Sequence, residues 1–352
     1  MNIRKFCLII GMIMLLAVTT VGCGGSNSTG QNNQDAKEQI VLKLATQHPL
    51  THIGTTAGSE YFMKRVEELS NGRVKFEFYP AEQLGKAKDM LNLVRSGTAD
   101  MTYVLSSLVP GELPLSAVGE LPLYTDTTVA AKAFRTLEKE VLFEKEIKRL
   151  GVRPIIDSEW SQCSLFTTKP IKSVEDLKGM KIAAAGGRLD VAKSLGGVPV
   201  SMSAPDTYEA LSKGIVQGAI FMFNNAESYK IQEVAKYAYE GVPMGGYMGY
   251  YFMNEKTWQK LPEDIKEIIA KAGIEASDKI AQSSDELEKE IMEKWEKSGS
   301  VTIYHIPTAE KEQWTTKINK VNEDWAKNMD AKNLAGSQTL DAFKKALEAS
   351  GK

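Results

Sequence analysis

The chain has 352 residues, of which 43% are hydrophobic and 25% charged, with a formal net charge of −2. That length exceeds one typical core and suits two lobes or domains. The near-neutral balance, with no Lys/Arg-rich block, argues against a nucleic-acid partner.

The first residues differ from the rest. Arg4 and Lys5 form a short positive stretch, and Phe6 to Val21 run almost wholly apolar. The run is shorter than the roughly 20 residues that span a bilayer and fits the core of a signal peptide over 1–22. Thr20-Val21-Gly22-Cys23 resembles a bacterial lipobox, with Thr20 where Leu is usual. Cys23 is therefore the expected lipidation site and mature N-terminus. Residues 23–38 are rich in Gly, Ser, Asn and Gln and read as a flexible tether. Once Cys7 leaves and Cys23 is acylated, Cys163 is the one cysteine remaining. An exported body without an intrachain disulfide depends on its core.

From Gln39 the pattern alternates between strand-like and helical periods. Ile40 to Ala45 reads as a strand. Ala57, Tyr61, Val66 and Leu69 fall at helical spacing, with Asn71-Gly72 as the stop. Val74 to Tyr79 is a strand, Met90 to Val94 a helix ended at Gly97, and Met101 to Leu105 a strand. This βαβαβ order predicts a parallel or mixed sheet with helices on its faces. A similar order returns at Met180–Ala184, Leu189–Leu195, Val198–Ser201, Ala204–Ser212 (Ser203 as N-cap) and Ala219–Phe223. The two halves read as α/β lobes on one plan. From Leu261 to Ser298 apolar residues recur every three or four positions, predicting a helix of roughly 50 Å that either breaks near Gly273 or spans both lobes. A short strand over Val301–His305 and a helix marked by Trp314, Ile318, Val321 and Trp325 follow.

The order of features from about Leu42 to about Trp325 resembles the substrate-binding subunits of TRAP transporters, the DctP-type family. The resemblance rests on Ser70-Asn71-Gly72-Arg73-Val74, Tyr79-Pro80-Ala81-Glu82-Gln83-Leu84-Gly85, Lys169 to Ile182, Tyr208-Glu209-Ala210-Leu211 with Gly214 and Gly218, and Leu261-Pro262-Glu263-Asp264. It implies a two-lobed α/β fold like a type II periplasmic binding protein, with a long helix bracing both lobes and a helical C-terminus. The expected lobes are 39–158 with 246–285, and 159–245 with 286–350. It implies no enzyme activity and no cofactor. A small organic acid would bind in the cleft and pass to TRAP membrane subunits. An extracytoplasmic sensor or an ABC-type binding protein is the alternative; the long helix argues against the latter.

The chain departs from the family at the ligand. The usual carboxylate-binding arginine, two positions after Lys181, is Ala183, and a second falls near Cys163. A guanidinium fork supplies both charge and geometry and is hard to replace. Either the ligand is not a simple carboxylate but an unusual neutral or aromatic molecule, or its acid group is held by the helix start and Arg188, which follows Gly186-Gly187 and is the nearest substitute. The other expected ligand-binding residues are His48, Trp160, Cys163, Phe221, Asn224, Tyr247 and Tyr250, on strand ends and a Gly-rich stretch; Phe221 and Tyr247 fall at contact positions of the family. His48 and His52 stand four apart, but Pro49 disfavours a helix through His48 and no acid lies nearby, so no metal is expected. No nucleophile elbow or P-loop is present, and Cys163 has no activating base in view.

Overall fold

The computed structural model describes residues 39–351; the expected signal peptide, Cys23 and the tether lie outside the described residues. The chain forms β1 (Ile40–Ala45), α1 (Tyr61–Leu69), β2 (Val74–Tyr79), α2 (Met90–Ser96), β3 (Met101–Leu105), α3 (Thr127–Leu137) and β4 (Val152–Glu159). It continues with β5 (Ser164–Thr167), β6 (Lys181–Ala184), α4 (Arg188–Ser194), β7 (Val198–Ser201), α5 (Ala204–Ser212), β8 (Gly218–Phe221), α6 (Phe223–Ser228) and β9 (Tyr237–Glu240). Then follow β10 (Met248–Asn254), α7 (Glu255–Lys260), α8 (Glu263–Ser298), β11 (Thr302–His305), α9 (Thr308–Asp330) and α10 (Gly336–Ser350).

Two sheets result, in the orders β2-β1-β3-β10-β4 and β11-β9-β5-β8-β6-β7. Their shared plan is visible strand by strand. In the first, β1 lies parallel to β2 and β3, and β10 runs antiparallel beside β3. In the second, β6 lies parallel to β7 and β8, and β5 runs antiparallel beside β8. Parallel strands need helical crossovers, which α1, α2, α4 and α5 supply. The first crossover helix stops where Asn71 and Gly72 take positive φ (51° and 76°), the left-handed geometry that ends a helix. Ser203 takes the N-cap position of α5 without capping it, because its hydroxyl donates to Asp206 instead.

The chain crosses between sheets three times: along α8, from β10 to β11, and at two loop crossings, after β4 and before β10. The two loop crossings are laced together: Cys163 N–H donates to Gly245 O at 2.8 Å, Trp160 N–H to Tyr247 O at 3.3 Å, and Gly245 N–H to the Gln162 side chain at 2.8 Å. Helix α8 lies across them unbroken for 36 residues, roughly 54 Å at ~1.5 Å per residue. Its N-terminal half holds the first lobe, where Glu275 pairs with Arg65 and Asp278 with Arg135. Asp285 caps α3 by accepting from Thr127 N–H at 3.0 Å. Its C-terminal half holds the second lobe, where Glu288 accepts from the Phe223 and Asn224 N–H groups at 2.7 and 3.0 Å. Trp295 packs there against Phe166 and Phe223. Gly273 does not break the helix.

The expected assignment of all of 286–350 to the second lobe needs correction. Helix α9 starts on that lobe, Trp314 stacking on Tyr239, and crosses to the first, where Asn322 donates to Pro122 O. Helix α10 packs on α3 of the first lobe, with Phe343 edge-on to Phe134 at 5.8 Å. Leu340 and Phe343, one helical turn apart, form an apolar stripe that needs such a face.

Behind β4 the carboxyls of Glu138 and Asp157 are both buried, and Asp157 Oδ1 has no hydrogen-bond partner. Burial, and for Glu138 the nearby Asp157, push both pKa values up, Glu138 to about 8 and Asp157 to about 6. An acid with a raised pKa binds its proton more tightly folded than unfolded, so its contribution to stability falls as pH rises from about 4.5 through about 8. Glu138→Gln needs no proton. It is expected to raise stability by on the order of 1–3 kcal/mol at pH 8 and by much less at pH 5. Urea midpoints of the variant and parent at the two pH values check this; an equal shift at both would refute it.

Candidate functional site

One wall of the site grows from the end of β1. Past Ala45 the chain turns through Thr46 and Gln47 to His48, whose ring stacks on His52 with centroids 4.2 Å apart. His48 also meets Tyr103 of β3 at 4.5 Å, and His52 meets Trp160 at 5.7 Å. The Trp160 indole N–H donates to the Tyr103 hydroxyl at 3.3 Å. Gly249 of β10 makes room for Tyr103, since a Cβ there would lie 2.5 Å from its hydroxyl. Tyr251, two positions on, locks the His48–Gly54 turn by donating to Gly54 O at 2.6 Å. Burial lowers the pKa of both histidines, and at His48 repulsion from His52 lowers it further. The wall is therefore flat, aromatic and neutral.

The opposite wall carries charge. Arg188 opens α4 and is only 4% exposed. Its Nη1 donates to Gly246 O at 2.6 Å, and its guanidinium lies 4.0 Å from the centroid of the Tyr247 ring. Among the described residues no carboxylate forms an ion pair with it. Glu120 is close enough to act electrostatically, but its carboxyl accepts from Ser106 and Ser107 instead. Cys163 lies beside Arg188, and burial pushes its thiol up to about 12, so it stays protonated. Ala183, at the family's arginine position, is sealed in the core of the second lobe.

A separate groove of about 1030 Å³ lies between α4 and α9, and none of the aromatic or charged side chains of the two walls lines it. Leu121 and Gly187, the chain neighbours of Glu120 and Arg188, form part of its wall. Lys193, Lys320, Lys327 and Lys332 line it against Asp190 and Asp324, an excess of positive charge that attracts anions.

The structure thus brings together His48, Trp160, Cys163, Arg188 and Tyr247 of the expected residues. Three others sit elsewhere. Tyr250 points to the far side of β10, where it stacks on Phe252 at 4.6 Å and bonds the Ser116 hydroxyl at 2.8 Å. Successive strand residues face opposite ways, so Tyr251 reaches the histidine wall and Tyr250 cannot. Phe221 packs in the second lobe's core, and Asn224 meets α8 through its N–H bond to Glu288. Sequence reasoning missed Tyr103 and Glu120 and considered His52 only as a metal ligand. Nothing local marked either: β3 is buried at Met101, Thr102, Tyr103 and Val104 alike, so it offers no alternation to set the direction of Tyr103.

Comparison with known proteins agrees with this fold. The family model described as bacterial extracellular solute-binding protein, family 7, matches residues 44–328. The C4-dicarboxylate-binding periplasmic protein DctP of Rhodobacter capsulatus is 26% identical over 312 residues, 87% of this chain and 92% of its own. The sialic acid-binding periplasmic protein SiaP of Vibrio cholerae is 29% identical over 254 residues, 68% of this chain and 75% of its own. A solved TRAP periplasmic solute binding protein from Desulfovibrio salexigens has a TM-score of 0.79 at 28% identity, over 88% of this chain and 96% of that one. These are transport receptors, not enzymes. Two α/β lobes of one plan, crossing strands under a long brace and a family match over most of the described residues place this chain in solute-binding protein family 7, the ligand-capturing subunits of TRAP transporters.

Proposed function

We propose that this receptor captures a small organic acid with a compact, flat body, that Arg188 holds the acid group, and that the loaded protein delivers it to TRAP membrane subunits. The observation that carries this reading is Arg188 itself, a buried cation for which the described residues supply no ion-pair partner. Burying an unpaired charge costs several kcal/mol, and a ligand carboxylate removes that cost with paired, charge-assisted hydrogen bonds. The stacked His48, His52, Tyr103 and Trp160 rings suit an apolar or aromatic body. Relatives named for binding C4-dicarboxylates and sialic acid support an acid ligand. Arg188 takes over from the arginines replaced here by Ala183 and Cys163. The protein acts outside the cytoplasm, held to the membrane by a lipid on Cys23 after removal of residues 1–22; the run from Arg4 to Cys23 supports this part.

Mass spectrometry of compounds released on denaturing the freshly purified, tagless mature protein tests the ligand. The expected result is one compound near one per chain, bearing a carboxylate. A stoichiometric compound without an acid group would overturn the assignment of Arg188. If the cleft is empty, a thermal-shift panel of organic acids must raise the melting temperature with concentration; a flat response to all of them would refute the reading.

A further inference from the structure

On its outer side β4, the edge strand of its sheet, forms a cavity of about 160 Å³ with α3, α7 and α8. Glu138, the residue after α3, and Asp157 of β4 line it. Asp157 is 5% exposed, its Oδ1 has no hydrogen-bond partner, and among the described residues nothing donates to the Glu138 carboxyl. Two carboxyls buried at one cavity without a donor are costly. The backbone is irregular at the same place. Tyr251 and Phe252 of β10 pair with Ile156 and Pro154, so Ile155 is the extra residue of a bulge, and its carbonyl oxygen lies against Gly273 of α8. Bulges recur where a sheet edge carries function. The charges around the cavity leave one negative charge unmatched. Arg135 pairs with Asp278 and Arg153 with Glu255. Lys139, exposed at the rim, then stands alone against Glu138 and Asp157. From the neighbouring core Tyr250 and Glu159 also feel Asp157, and burial favours the protonated form of both.

We infer that this cavity is a binding site for one small monovalent cation, an alkali-metal ion or an ammonium, held between Glu138 and Asp157 beside the Ser277 hydroxyl. A single positive charge cancels the excess and gives Asp157 Oδ1 the partner it lacks. A divalent ion fits less well, because Ca²⁺ takes about six to eight oxygens and Arg135, Arg153 and Lys139 share the same walls. No His or Cys lines the cavity, so a transition metal would lack its preferred ligands. The ion ties the segment after α3 to β4 beside the seat of α8, so its occupancy stabilises the fold and is separate from capture of the transported ligand. The proton is its competitor. Burial raises the pKa of Asp157 to about 6 and of Glu138 to about 8, so both carboxyls are protonated at pH 5 and the pair becomes available to a cation as pH rises to 8.

Thermal melts of the mature protein at equal ionic strength test this, in the chlorides of sodium, potassium, ammonium and methylammonium. The chloride of N-methyl-D-glucammonium, too bulky for the cavity, is the reference. At pH 8 at least one small cation is expected to raise the melting temperature by ~2 °C or more above the reference, and at pH 5 the rise is expected to disappear. The cation that responds separates a metal ion from an ammonium. In Asp157→Asn and in Glu138→Gln the rise at pH 8 is expected to be lost. Equal melting in every chloride at pH 8 would overturn the inference and leave the cavity to water. A rise retained in both folded variants would overturn it by placing the ion elsewhere. A wild-type rise as large at pH 5 as at pH 8 would do the same, and that comparison stands if a variant does not fold.

Discussion

Arg188→Met is expected to abolish the rise in melting temperature caused by the ligand while leaving the ligand-free protein at least as stable as its parent. The two halves of this result have one cause. In the ligand-free state the guanidinium is stacked on Tyr247 and bonded to a single carbonyl, that of Gly246, with no ion-pair partner among the described residues. Methionine fills a similar volume, keeps contact with the Tyr247 ring and carries no charge to desolvate. With ligand present the balance reverses, because losing a buried charge-assisted pair costs about 2–4 kcal/mol, roughly 30- to 1000-fold in affinity. Arg188→Lys is expected to fall between, since an ammonium keeps the charge but loses the planar fork. Calorimetric titration and thermal melts of the three proteins with the released compound would decide the matter. A lower melting temperature with affinity intact would make Arg188 a structural residue and return the acid group to an unidentified partner.

Most of the elements that were legible in the sequence have one exposed face; β3 and β8, buried almost throughout, were legible by the helix stops before them. Strands β1, β2 and β3 alternate apolar and polar residues or sit between clear helix stops, and their expected limits match the observed ones. Helix α8 was legible because one stripe, from Ile265 through Ile280 and Ile291 to Trp295, packs on the body while the remainder is solvated. Strand β10 was not read as a strand, since all seven of its residues are buried and no alternation survives. That is also why Tyr250 was chosen over Tyr251. Without a polar face to set the phase, two adjacent tyrosines on a central strand look equivalent. The charged half of the site was partly visible, because the missing family arginines directed attention to Arg188. The placement of Glu120 was invisible because only folding brings this residue of the first lobe beside Gly246 and Arg188. The fate of α10 was hidden for the same reason: an amphipathic stripe states that a helix must be covered, not by which lobe.

Gly273→Ala is expected to destabilise the protein by about 2–4 kcal/mol, although the same change in an exposed helix interior stabilises by about 1 kcal/mol. Gly273 lies in the first third of α8, where the brace rests on β4. A Cβ added there would stand 2.1 Å from the carbonyl oxygen of Ile155 and 3.2 Å from its side chain. The obstacle is backbone in a strand paired with β10 on its inner side, so it cannot rotate away as a side chain would. Either α8 lifts from β4 or the strand buckles, and each separates packed surfaces around Ile156, Ile269 and Ala276. The same displacement pulls on Asp285 and Glu288, further along the rigid helix, which hold the first turns of α3 and α6 in different lobes. A local steric fault should therefore reach the ligand. Gly273→Ala is expected to weaken binding by roughly tenfold even though no site residue is altered, because a brace set at a new angle changes the equilibrium between open and closed lobes. Urea unfolding gives the stability change and calorimetry the affinity. Gly299→Ala, at the end of the same helix where a side chain would meet nothing, serves as the control for the loss of a glycine; its own left-handed φ of 66° limits its cost to about 1 kcal/mol. If Gly273→Ala instead raised the urea midpoint, as helix propensity alone requires, the close seating of α8 on β4 would be wrong, and with it the view that one rigid helix sets the geometry of both lobes.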